Sequence, residues 1–514
     1  MSSSHTVSSF SWRDWPDDNI DSPGQGAVSG LLRLGKEEAR VAGKAVERGL
    51  PGNLILRWLS EVDAMLRSRR RAWTAALLAL WLVVAACGGG QGTGTSTTGT
   101  STTTTGTPTT GTPTTGPSTT GTTAGAGGLG GGLRDELDEL VSVAEEVRGL
   151  RFVEPPTITG VSDEELARRV REDLEEELDP EELQIDEALY ELLGMVSPEF
   201  DLRQTYLDLY EEQVAGFYDG DTGELVVPAS QEITPLGRSI IIHELVHALT
   251  DQHFSFDATF DELVDGDRFD EARALQALVE GDATYFQIVY MQQRLSDAER
   301  VQLFSELLEV ETDVVDSVPL FLREDFGFPY DSGFRFVEQL LSGGGIASVD
   351  RAYQSVPTTS EHILHPRRFS GLEAAREVGL PATPLPGYEV YEESVYGEWG
   401  LQLILMEGLD QGEAVQASDG WGGDAYRTLW DGEDVAFVLR YQGDTVRDAE
   451  ELESALLEYV PGSMAVSAGT QVEDGTEFQR GDYAFVARSG DRITFIAASD
   501  PAVGSALREM LGGS

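Results

Sequence analysis

Ser239–Phe254 reads S-I-I-I-H-E-L-V-H-A-L-T-D-Q-H-F, and this stretch constrains the fold more than any other. Thr234-Pro235 supplies a helix cap and an N1 proline just before it. Ile240, Ile241, Leu245 and Leu249 require that helix to be packed in a core. His243 and His247, four residues apart, share one face, so both imidazoles can reach one ion. Zinc accepts neutral histidine nitrogens, and Glu244 beside them can take a proton from water at the metal. A helix that must be buried and also carries H-E-x-x-H forces the core to close around a polar site.

A third ligand decides what kind of site this is. His253 lies six residues past His247, the spacing of the metzincin pattern H-E-x-x-H-x-x-G-x-x-H. That pattern turns the chain at a glycine, and here the position holds Thr250. Helix is therefore expected to continue through Asp251 and carry His253 away. The rival is Glu280, 33 residues past His247 in A-L-V-E-G-D-A-T-Y-F. It sits on a separate helix able to pack across the first, and Gly281 and Ala283 would allow close approach. Leu278, Val279 and Phe286 make that face look buried.

The E-G-x-A-x-Y string at Glu280–Tyr285 is similar to the third-ligand helix of gluzincins, zinc peptidases whose last ligand is a glutamate. More specifically, the chain resembles a group of uncharacterised bacterial predicted metallopeptidases, often lipoproteins. The shared segments are V-A-G-F-Y-D at Val214–Asp219, H-E-L-V-H-A-L-T-D-Q-H-F at His243–Phe254, and L-V-E-G-D-A-T at Leu278–Thr284. F-P-Y-x-x-G at Phe328–Gly333, S-E-H-I-L-H-P at Ser360–Pro366 and G-W-G-G-D at Gly420–Asp424 extend the likeness over most of 133–456. His362 stands where such relatives carry Gln, which argues against a ligand role for it. The resemblance implies Zn2+ on His243, His247 and Glu280, with Glu244 as general base. His365, Tyr330 and Tyr285 are candidate donors to a developing oxyanion, and Asp251 could orient the site from behind.

Composition and targeting place this chemistry. With 90 Asp+Glu against 36 Lys+Arg and a net charge of −54, the chain lacks the basic surface that nucleic acid requires. Its single cysteine, Cys87, excludes an intrachain disulfide or a cysteine-based zinc site. Met65–Arg71 is a basic n-region and Ala72–Ala86 a short apolar stretch. Val84-Ala85-Ala86-Cys87 resembles a bacterial lipobox, which implies lipidation of Cys87 and a membrane-anchored, extracytoplasmic protein. Met65 is the expected start, leaving 1–64 without an assigned role.

The expected organisation is a signal peptide over 65–86 and a Gly/Thr/Pro-rich stalk over 87–132. A mainly helical α+β catalytic domain follows over 133–384, with a small sheet edge beside the motif helix. Phe217–Val227 reads as a β-hairpin around an Asp-Gly/Thr-Gly turn, an edge on which an extended peptide could lie. A small α+β unit is expected over 385–514. The function these readings predict is a zinc metallopeptidase acting on peptide or protein. A non-enzymatic envelope lipoprotein with a peptidase-like scaffold, or a metzincin-like enzyme using His253, are the alternatives.

Overall fold

A computed structural model of the protein describes residues 131–211, 216–220, 222–229, 233–309 and 318–511. Residues 1–64, the signal peptide, Cys87 and the stalk lie outside the described residues. The described chain opens with α1 (Gly131–Arg148), β1 (Thr157–Val161), α2 (Asp163–Glu177), α3 (Pro180–Leu192) and α4 (Leu202–Glu211). Next come β2 (Phe217–Asp219), β3 (Glu224–Pro228), α5 (Pro235–Phe254), α6 (Phe256–Val264) and α7 (Phe269–Gln293). Five further helices are α8 (Asp297–Glu309), α9 (Leu320–Gly344), α10 (Ile346–Gln354), α11 (Ser360–Leu364) and α12 (Pro366–Gly371). The C-terminal part runs β4 (Glu389–Ser394), α13 (Gly397–Met406), α14 (Gln411–Ser418), β5 (Trp421–Trp430), β6 (Val435–Gly443) and α15 (Val446–Ser463). It finishes with β7 (Thr470–Gln471), β8 (Thr476–Gln479), β9 (Tyr483–Ser489), β10 (Arg492–Ala498) and α16 (Pro501–Leu511). The architecture is α+β, as the hydrophobic patterns predict. Among the described residues no helix is long and apolar enough to cross a membrane.

Helix starts follow their local chemistry. Ser162 accepts from the Glu165 N–H, Asp179 from those of Glu181 and Glu182, and Thr234 from that of Gly237. Each side chain satisfies amides that have no partner inside their own helix. The expected hairpin is β2–β3, with Tyr218 opposite Leu225. A strand not anticipated, β1, lies parallel to β3 on its other side, giving the order β1-β3-β2. Its short T-I-T-G-V run lacks flanking strand signals, and long-range pairing alone makes it a strand.

The second sheet has seven strands in the order β4-β5-β6-β10-β9-β8-β7, with every pairing antiparallel. In β6, Phe437, Leu439 and Tyr441 face a core shared with the helical region, while Ala436 and Val438 face α16 through Leu507 and Leu511. Strand β5 is also buried on both faces, but Gly422, Gly423, Asp424 and Arg427 interrupt its apolar residues, so it is not readable from hydropathy. The shared core joins Ile240, Leu275, Leu278 and Phe336 to Phe437 and Phe495 without a break at residue 384. The C-terminal sheet is thus packed into the body that holds the motif helix.

Candidate metal centre

Helix α5 is sealed along most of its length. Ile241, Ile242, Leu245 and Leu249 pack against Leu137 and Leu140 of α1, Leu225 and Val227 of β3, and Leu303 of α8. This packing turns His243 and His247 toward α7, which carries Glu280. The three ligand atoms converge. His243 Nε2 is 3.0 Å from His247 Nε2, and Glu280 Oε2 is 3.2 Å and 3.4 Å from them. Three donors held at about 2.0–2.1 Å from a tetrahedral ion lie roughly 3.3 Å apart, so this triangle has the dimensions of a zinc face. His243, His247 and Glu280 are all buried, and Glu244 is fully so.

Electrostatics agree with that geometry. Burial works to raise the Glu280 carboxyl, but the charge of His247 and hydrogen bonds from both rings outweigh it and hold the group at about 2. Burial lowers His243. It opposes protonation of His247 too, but Glu280 pulls that ring upward on balance. The carboxylate is held ionised by ring protons, and a cation that displaced those protons would meet one carboxylate and two imidazole nitrogens, a donor set that suits it. Gln287, two turns beyond Glu280, supports the His243 ring and donates to Ser239 Oγ at 3.4 Å.

Glu244 points at the hairpin. Its Oε2 accepts from the Tyr218 N–H at 3.2 Å, so the outward edge of β2 meets the motif glutamate directly. The edge expected to receive an extended peptide thus offers its central donor to Glu244. Asp251, one turn past His247, accepts from the Tyr218 hydroxyl at 3.4 Å and from the Asp257 N–H at 3.3 Å. It ties α5 to β2 and to the start of α6.

The other candidates separate cleanly. Helix α5 runs on to Phe254, as Thr250 implies, and ends at Ser255 in the left-handed region. His253 is thereby carried to the Arg151 carbonyl, 2.7 Å from Nε2, and is not brought together with His243 and His247 as the metzincin-like alternative expects. His362 bonds the Thr358 N–H and the Glu373 carbonyl and is no ligand. Tyr330 is buried beside the site, its ring stacked on His243 at 6.4 Å. Tyr285 instead packs against Phe286 and Phe334. His365 is not placed with the three ligands: its Nε2 lies 3.0 Å from Glu398 Oε1.

Sequence reasoning missed the network behind the site. Arg148 at the end of α1 is fully buried and pairs with Asp282 at 2.8 Å and Asp350 at 2.8 Å. Tyr353 donates to Asp282 at 3.2 Å and also shares a hydrogen bond with Thr250. Thr250 itself donates to the Val246 and His247 carbonyls. Two further elements, α1 and α10, are thus stitched to the helices that carry His243, His247 and Glu280. Gly281 does not face α5 as expected. A Cβ there would sit 2.2 Å from the Gly333 backbone of α9, and it is Ala283 that packs against Val246 of the motif helix.

Residues 387–508 match a family described as Domain of unknown function (DUF8575), a span that runs from just before β4 into α16. No curated protein matches the chain. A solved structure from Chloroflexus aurantiacus, described as "a putative hydrolase with a novel fold", is similar at 17% identity with a TM-score of 0.31. That likeness covers 46% of this chain and 89% of the other, and at so low a score no argument below rests on it.

Proposed function

We propose that this chain is a zinc-dependent peptidase of gluzincin type, held outside the cytoplasmic membrane by a lipid on Cys87. The observation that carries the reading is the convergence of His243, His247 and Glu280 from two helices with Glu244 buried beside them. Zinc held by those three side chains would act as a Lewis acid on the scissile carbonyl and acidify water. Glu244 takes the proton of the attacking water and passes it to the departing nitrogen. The Tyr218 N–H fixes the carboxylate that performs this transfer. Tyr330, whose ring stacks beside His243, is the expected donor that this reading assigns to the substrate oxygen. The resemblance of the sequence segments to bacterial metallopeptidase lipoproteins supports the same reading.

The test separates base from ligand. Glu244→Gln is expected to keep one tightly bound zinc at this centre and lose about a hundred- to ten-thousand-fold in peptide hydrolysis. Glu280→Ala is expected to lose the zinc, while His253→Ala keeps it. Metal analysis and cleavage of a peptide library by the same preparations check all three. Full activity in Glu244→Gln would refute the peptidase reading. Loss of lipid labelling in Cys87→Ser would support the anchor, and unchanged labelling would refute it.

A further inference from the structure

A second histidine–carboxylate cluster lies where three junctions meet. His365 joins α11 to α12, Glu398 is in the first turn of α13, and Asp419 follows α14. Their ligand atoms lie within 4.8 Å of one another. His365 Nε2 is 3.0 Å from Glu398 Oε1 and 3.8 Å from Asp419 Oδ1. Glu398 is only 1% exposed, and its Oε2 has no hydrogen-bond partner. Its Oε1 takes the His365 contact and a long one, 3.4 Å, from Gln402. A sealed carboxylate with one oxygen unmatched is costly unless a positive charge arrives to share it.

The surroundings are short of positive charge. Glu361, Glu398, Asp419 and Asp444 face two guanidinium groups, Arg368 and Arg376. Arg368 is already divided among Glu361, Asp444 at 3.1 Å and Asp419 at 3.4 Å. The His365 ring is 33% exposed and Asp419 59%, so solvent reaches the cluster from one side, where Asp419 already lies 3.8 Å from His365 Nε2.

We propose that His365, Glu398 and Asp419 form a second cation site that takes a divalent transition ion of the zinc–manganese class. An imidazole with two carboxylates suits such ions, whereas calcium and magnesium take oxygen alone. The buried Glu398 anchors the ion, His365 sets its class, and exposed Asp419 closes over it. The site is independent of the peptidase reading, because it shares no ligand with the first centre.

The test uses the full chain, stripped with a chelator, re-equilibrated with zinc alone in high salt and dialysed. Two zinc ions per chain are expected, with one in His365→Ala and one in the His243→Ala/His247→Ala double variant. The triple combination should hold none. Should the double variant fail to fold, Asp419→Asn in the otherwise intact chain takes its place. It alters an exposed group and is expected to weaken the second zinc by about tenfold or more. A zinc count that is the same in the wild-type chain, His365→Ala and Asp419→Asn would overturn the proposal, and the cluster would then be a His365–Glu398 ion pair only. A single wild-type zinc that His365→Ala loses would overturn the first centre instead.

Discussion

The side chains of His243, His247 and Glu280 are 1%, 3% and 7% exposed, whereas in the second cluster only Glu398 is sealed and His365 and Asp419 reach solvent. The polar atoms of the first set lie no more than 3.4 Å apart, and in the second His365 Nε2 is 3.8 Å from Asp419 Oδ1. The difference follows from what carries them. In the first, two long helices cross with fixed side-chain periodicity, and a buried ion-pair network braces them from behind. In the second, three chain junctions bring the groups together and one face is wet. Preorganisation comes from packing, while adaptability comes from exposure. On the reading proposed above, the first is built to hold a metal rigidly and the second to close on one.

The sharpest way to break that contrast is to remove the brace. Arg148→Met leaves Asp282 buried without its cation, and breaking such a pair costs about 3–5 kcal/mol. Asp419→Asn, altering an exposed group, is expected to change stability by no more than about 0.5 kcal/mol. Urea unfolding of both variants measures the difference. Equal, small losses would mean that the first centre is not braced as the structure indicates.

The two regions also differ in how much the sequence discloses. The juxtaposition of His243 and His247 is legible because four residues make about one helical turn, and their meeting with Glu280 because E-G-D-A stands in a buried helix. Thr250 correctly foretells that α5 continues and removes His253. Arg148 is not legible, because its partner lies 134 positions away and nothing local marks an arginine at a helix end as buried. The role of Gly281 is half legible: close approach is implied, but its partner is Gly333 of α9. Strands β1 and β5 escape for different reasons, one too short to show a pattern and the other buried on both faces with Gly422, Gly423, Asp424 and Arg427 interrupting its apolar residues. His365 stands out as a residue but not its company, since Glu398 and Asp419 join it only through the tertiary fold.

A second test acts on the helix crossing. Gly281→Ala places a methyl 2.2 Å from the Gly333 backbone, which cannot move aside as a side chain would. Overpacking of this kind costs about 1–3 kcal/mol. Because Gly281 adjoins Glu280, the variant is also expected to bind zinc more weakly at the first centre while leaving the second unchanged. Competition with a chromogenic chelator reads both. Equal weakening of the two would show that they are not structurally separate.

The smallest expected effect lies on the link between the clusters. Asp270, in the first turn of the helix that carries Glu280, accepts from the Ser360 N–H at 3.0 Å, and Ser360 Oγ accepts from the Trp399 N–H next to Glu398. Burial, with Asp424 adding to it, pushes Asp270 up to about 7. Its folded-state pKa is raised, so its contribution to stability is complete below the usual aspartate range and is lost as pH rises through about 7. One such group gives a slope of at most about 1.4 kcal/mol per pH unit between those limits. Asp186 and Glu392, raised to about 7 and about 8 by burial and neighbouring carboxylates, slope the same way. Asp270→Asn is therefore expected to flatten the fall in melting temperature between pH 5 and pH 8 without abolishing it. An unchanged slope would place the titration in the other raised carboxyls, among them Asp186, Glu392, Glu361 and Asp424, and Asp270 would then be a charged strut between the two clusters at neutral pH.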